Sequence, residues 1–160
     1  SKPIICSVVG FPLGADSAEM KYAEARFLIF NGVEEIDMVL NIGALKERNT
    51  NIIQKEIKKV VDAAEGKIVK VIIETCLLNN HEKVLASKIV KDCGANFVKT
   101  STGFSASGAT IDDVKLIKKT IGDEIGIKAS GGIKTKEEVI SFIQAGADRI
   151  GTSNGVNIVS

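Results

Sequence analysis

Short apolar runs rich in Ile and Val alternate along this chain with longer stretches whose apolar residues recur every three or four positions. The first pattern marks buried strands and the second marks amphipathic helices. Strands are predicted at residues 4–9, 35–41, 68–75, 96–101, 124–130 and 149–153. A helix is predicted over 16–30, where Asp16-Ser17-Ala18-Glu19 resembles a capping box and Gly32 supplies the stop. Ile53, Ile57, Val60, Val61 and Ala64 place a second helix that closes at Gly66. Asn79 with Glu82 opens a third, running to about Cys93 before Gly94. Thr110 caps a fourth, carrying Val114, Ile117 and Ile121, and Thr135 with Glu138 caps a fifth, carrying Val139, Ile140 and Ile143. Six strands and five helices in strict alternation imply a parallel sheet covered by helices. Each unit takes roughly 25–30 residues, near the minimum for a strand–helix–strand crossover. The segments that open at Gly32, Gly94 and Gly146 share a helix stop, a short turn and a strand, which reads equally as a common way to end a helix and start a strand or as repeated βα units of a barrel.

Four of these strands carry charges. Asp37 interrupts the second; Lys70 sits inside the third, with Glu74 after it; Lys99 lies in the fourth and Lys128 in the fifth. Strands of a parallel sheet are covered on both faces and are ordinarily continuous apolar runs, and a buried charge needs a partner. Charges in four successive strands therefore suggest a polar cluster of two carboxylates and three lysines inside a barrel. They also count against a doubly wound nucleotide-binding fold. A lysine confined beside another cation loses its proton more readily, and the neutral amine attacks carbonyl carbon to form a Schiff base. A carboxylate nearby can move the protons. The single histidine, His81, falls at a helix start and reads as solvated. No spacing of His, Cys and carboxylates fits a metal, and none is expected.

The last three strands end in small, glycine-rich loops: Gly103 after Thr100-Ser101-Thr102, Gly131-Gly132 after Ser130, and Gly151 to Gly155 through Ser153. Such loops expose backbone N–H groups that can hold a phosphate.

Composition narrows the picture from outside. The chain has 160 residues, 44% of them apolar and 26% charged, which is globular composition and fits one domain over 1–160. Its net charge of +1 offers nothing to nucleic acid or an anionic membrane, and no apolar run is long enough to span one. Cys6, Cys76 and Cys93 are scattered and read as reduced thiols of a cytoplasmic protein, with Cys76 expected to be buried and inert.

The segments Phe97-Val98-Lys99-Thr100-Ser101-Thr102-Gly103-Phe104 and Ile127-Lys128-Ala129-Ser130-Gly131-Gly132-Ile133 resemble the two lysine strands of the deoxyribose-phosphate aldolase family. Residues 8–14, 35–43 and 70–75 resemble further segments of it, in the right order over the whole chain. The resemblance implies a (β/α)8 TIM-barrel fold and a class I aldolase that needs no cofactor. Its partners would be a small phosphosugar and acetaldehyde, and its assembly a homodimer. By position, Lys99 would form the Schiff base, Lys128 would depress its pKa, Asp37 would relay protons and Lys70 would support them. Gly103, Gly131, Gly132, Gly151 and Ser153 would surround the substrate phosphate, with Lys134 and Asn154 as weaker candidates. The family's barrel has two more βα units ahead of the segment at Ile4 and a last helix beyond Ser160. This chain is therefore expected to form an incomplete barrel of about six strands. An eight-stranded barrel usually needs at least about 200 residues. Two alternatives stay open: another Schiff-base phosphosugar aldolase or transaldolase, and an inactive portion of such a barrel kept as a binding module.

Overall fold

The computed structural model describes residues 2–160. Six parallel strands run in chain order across one curled sheet: β1 (Cys6–Val9), β2 (Glu35–Val39), β3 (Ile68–Ile72), β4 (Phe97–Lys99), β5 (Gly126–Ser130) and β6 (Arg149–Gly151). The order without crossovers is what successive right-handed βα units produce. Asp37 lies opposite Lys70, and Lys99 opposite Lys128, so the register alone brings the charged strand residues side by side. Among the described residues, β1 and β6 each pair on one side only.

Among the described residues seven α-helices cover the outside: α1 (Ala18–Phe30), α2 (Ile42–Lys46), α3 (Thr50–Ala63), α4 (Asn80–Asp92), α5 (Ile111–Ile121), α6 (Lys136–Ala145) and α7 (Gly155–Val159). The expected count was five. The two extra helices, α2 and α7, are five residues each, too short for a 3.6-residue period to show in the sequence. The capping boxes of α4 and α6 form as their sequences indicate. That of α1 does not: Ser17, not Asp16, caps the helix by accepting from the Met20 N–H. Predicted strands run longer than observed ones. Ile4 and Ile5 stay exposed ahead of β1, and β3 stops at Ile72, after which Thr75–Leu77 forms a short 3₁₀ turn. Cys76 in that turn is half-buried, more accessible than expected. No helix among the described residues is long and apolar enough to cross a membrane.

The apolar core lies between the sheet and its helices. Ile36, Met38, Val69, Val71, Val98, Ile127 and Ala129 point outward from the strands against Ile57, Val60, Val90, Val114 and Ile117 of α3, α4 and α5. The alternate strand positions face the inside of the curl and carry the charges, as the period of two requires.

The most deeply buried ion pair outside that interior joins α1 to α3. Lys21 of α1 is fully buried, and its ammonium donates to Glu56 Oε2 at 2.5 Å, to the Gly14 carbonyl at 2.8 Å and to the Val39 carbonyl at 3.1 Å. Glu56 of α3 also accepts from Asn41 at 3.0 Å. All three ammonium protons are used, and the loop after β1 is tied to the end of β2. Removing one partner of a buried pair leaves the other charge stranded. Lys21→Met is therefore expected to lower stability by about 3–5 kcal/mol. The urea midpoint should fall at unchanged slope, and a loss within about 0.5 kcal/mol would show that the pair contributes nothing.

Candidate active site

Asp37 stands at the centre of the interior. Its Oδ1 accepts from Lys70 at 2.8 Å, and its Oδ2 accepts from both Lys99 and Lys128 at 2.8 Å. The three lysines come from adjacent strands and converge on a carboxylate that is almost wholly buried. Burial pushes the Asp37 pKa up, but the charge of Lys99 and the hydrogen bonds from Lys128, Lys70 and Lys99 outweigh it and hold the carboxyl well below the usual range. Lys99 moves the other way from an ordinary lysine: burial lowers its pKa, the charge of Lys128 adds to that, and Asp37 only partly opposes them. Lys70 is raised, because its bonds with Asp37 and Glu35 outweigh the burial that would lower it. Cys6 on β1 completes the near ring, its Sγ 3.4 Å from Asp37 Oδ1 and 3.5 Å from Lys70 Nζ.

The second carboxylate of the cluster is not Glu74. That residue lies beyond the end of β3 in the left-handed backbone region (φ 53°), which turns it away from the lysines. Its carboxylate instead accepts from the Thr102 hydroxyl at 2.5 Å and the Thr102 N–H at 3.1 Å. Glu35 takes the place expected for it: its Oε2 lies 2.6 Å from Lys70 Nζ and 2.5 Å from Arg149 Nη1. Neither Glu35 nor Arg149 stood out in the sequence, because both open a strand and look like solvated strand ends. Their spacing of two from Asp37 and Gly151 was the available signal.

The ends of β4 and β5 are fastened by hydroxyls. Thr100 Oγ1 donates to the Ser130 carbonyl and accepts from the Ser130 N–H, Ser130 Oγ donates to the Ser101 carbonyl at 2.7 Å, and Ser101 Oγ donates to Thr100 Oγ1. These bonds fix the strand ends that carry Lys99 and Lys128. Above them opens a cavity of about 440 Å³ lined by Lys99, Gly103, Gly131, Gly132, Gly151 and Ser153, together with Lys134 and Phe104. Asn154 does not line it: its side chain donates to the Lys134 carbonyl at 2.8 Å and holds the loop. Two glycines are demanded by contact. A Cβ on Gly108 would meet the Gly131 carbonyl oxygen at 2.0 Å, and one on Gly151 would lie 2.8 Å from Ser130 Cβ. The loop after β4 thus packs backbone to backbone on the loop after β5. His81 is exposed in the first turn of α4, outside the cavity.

A model of the DeoC/LacD family aldolases matches residues 5–160. The chain belongs to this family. It is 55% identical to the deoxyribose-phosphate aldolase of Listeria welshimeri over 161 residues, an alignment that takes in 100% of this chain and 72% of that protein. Among solved structures it is similar to "QR15, an Aldolase", with a TM-score of 0.95 and 42% identity over 99% of this chain and 72% of that one. A tetrameric deoxyribose phosphate aldolase from Aeropyrum pernix superposes with a TM-score of 0.89 at 33% identity, covering 98% of this chain and 66% of that one. The TIM-barrel fold of these aldolases accounts for the curl of the sheet.

Glu74 holds the loop that carries Gly103 and Phe104 over the cavity. Glu74→Ala is expected to raise KM for a phosphorylated substrate about tenfold, the equivalent of one lost charge-assisted hydrogen bond, with a smaller change in kcat. Steady-state kinetics read both, and an unchanged KM would show that the loop is held without this carboxylate.

Proposed function

We propose that this chain acts as a class I aldolase, cleaving 2-deoxy-D-ribose 5-phosphate reversibly to D-glyceraldehyde 3-phosphate and acetaldehyde, with Lys99 as the nucleophile. The observation that carries this reading is the shared Asp37 Oδ2. It holds Lys99 and Lys128 together beside a cavity rimmed by glycine loops, where burial lowers the Lys99 pKa.

The neutral Lys99 amine attacks the C1 aldehyde of the open-chain sugar, and the carbinolamine loses water to give a protonated imine. A base removes the proton of the C3 hydroxyl. The C2–C3 bond then breaks, its electron pair passing into the iminium to leave an enamine on Lys99 and release glyceraldehyde 3-phosphate. Protonation at C2 and addition of water return acetaldehyde and the free amine. Asp37 serves these transfers as an ionised acceptor, passing protons through a water, while Lys70 keeps its other oxygen occupied. Burial lowers the Lys99 pKa, and the Lys128 charge adds to that. Gly103, Gly131, Gly132, Gly151 and Ser153 receive the phosphate, with Lys134 as an added cation. The homodimer and the cytoplasmic setting belong to this same reading.

Borohydride added in the presence of acetaldehyde should fix a two-carbon adduct on Lys99, seen by peptide mass, and Lys99→Ala should lose both adduct and turnover. A stable adduct on another lysine, or normal turnover in Lys99→Ala, overturns the assignment. Lys128→Met removes a neighbouring cation, so the Lys99 pKa should rise and the acidic limb of kcat/KM should move to higher pH. A limb that stays in place would show that Lys128 does not set the nucleophile's protonation.

A further inference from the structure

The floor of the barrel interior is built around Glu35. From β2 its carboxylate reaches Lys70 of the neighbouring strand and, across the inside of the curl, Arg149 of β6. Arg149 in turn lies over the Phe97 ring of β4, 4.8 Å from its centroid. A Cβ on Gly126 of β5 would stand 2.3 Å from that ring, so a residue without a side chain is what lets the Phe97 ring lie there. Four strands thus contribute to one layer beneath the lysines.

Glu35 is 96% buried, yet its Oε1 meets no donor among the described residues. A buried carboxylate oxygen without a partner costs stability, and an apolar floor would avoid that cost. What Glu35 gives in return is visible in its contacts: it is the second carboxylate on Lys70, the lysine that occupies Asp37 Oδ1.

We propose that Glu35 is a positioning residue for the aldol reaction, holding Lys70 against Asp37 and, with Arg149, setting the charge balance beneath Lys99. The proposal rests on Lys99 as nucleophile. The groups facing this cluster are Cys6 from β1, Glu35 and Asp37 from β2, Lys70 from β3, Lys99 from β4, Lys128 from β5 and Arg149 from β6. Four cations stand against two carboxylates. Removing Glu35 strips one negative charge and frees Lys70 to shift. Removing Arg149 strips one positive charge and leaves Lys70 in place. The two changes therefore push the Lys99 proton in opposite directions, whereas a merely structural clamp would be weakened alike by both.

The test compares Glu35→Gln and Arg149→Met with the parent protein by pH profiles of kcat/KM for deoxyribose phosphate cleavage, and by NMR titration of isotope-labelled lysines without substrate. Glu35→Gln should move the acidic limb and the Lys99 titration down by roughly half a pH unit or more, and lower kcat about tenfold as Lys70 shifts. Arg149→Met should move both up. Should Glu35→Gln fail to fold, an upward move in Arg149→Met still supports the proposal and an unmoved titration overturns it. Profiles that superpose on the parent, or that move the same way in both variants, overturn it as well. The NMR titration does not depend on Lys99 being the nucleophile. An adduct on another lysine therefore defeats the proposed function, whereas lysine titrations unmoved by either variant defeat this proposal alone.

Discussion

Three lysines on one carboxylate is the constraint around which this interior is organised. Asp37 is buried, so its charge is tolerable only while cations surround it, and the lysines are tolerable only while it stays ionised. The arrangement is deliberately uneven. Asp37 has two oxygens for three ammonium groups, and Lys99 and Lys128 share one of them. The shortage of negative charge falls on Lys99, the more deeply buried of the pair that shares that oxygen. A stronger or better-satisfied ion pair would make a more stable interior and hold the Lys99 proton more firmly.

The rest of the fold serves that arrangement from three sides. Parallel register places Asp37 beside Lys70 and Lys99 beside Lys128. The hydroxyls of Thr100, Ser101 and Ser130 lock the strand ends above, and Glu35 with Arg149 lies below. The loops over the cavity are held by contacts of a different kind: Glu74 on Thr102, and the backbone of Gly108 on that of Gly131. The charged cluster sits on strands and the glycine-rich rim of the cavity on loops, a division that suits a rigid cluster and an adjustable rim.

Much of this was legible in the chain. Lys70, Lys99, Lys128 and Asp37 announced themselves because charged residues are out of place in apolar strands, and the alternation of elements carried the sheet topology. Glu35 and Arg149 did not, since a charge on the first residue of a strand resembles a solvated end until the curl brings β2 and β6 face to face. That approach is a property of the whole sheet and leaves no local trace. Glu74 falls in phase with Lys70 if the strand runs on to Thr75; the strand stops at Ile72, and Glu74 itself, in the left-handed region, breaks the period. Helices α2 and α7 escaped because five residues carry no measurable periodicity.

The excess of cations inside the curl has a consequence for the protein as a thermodynamic object. Four cations facing two carboxylates repel one another in the unliganded state, and that self-repulsion is part of the cost of folding. Under the proposed function a phosphorylated sugar brings two negative charges to the rim of the same interior, so its binding would relieve a strain that folding created. Substrate occupancy and fold stability are then linked quantities, each drawing on the same unbalanced charge.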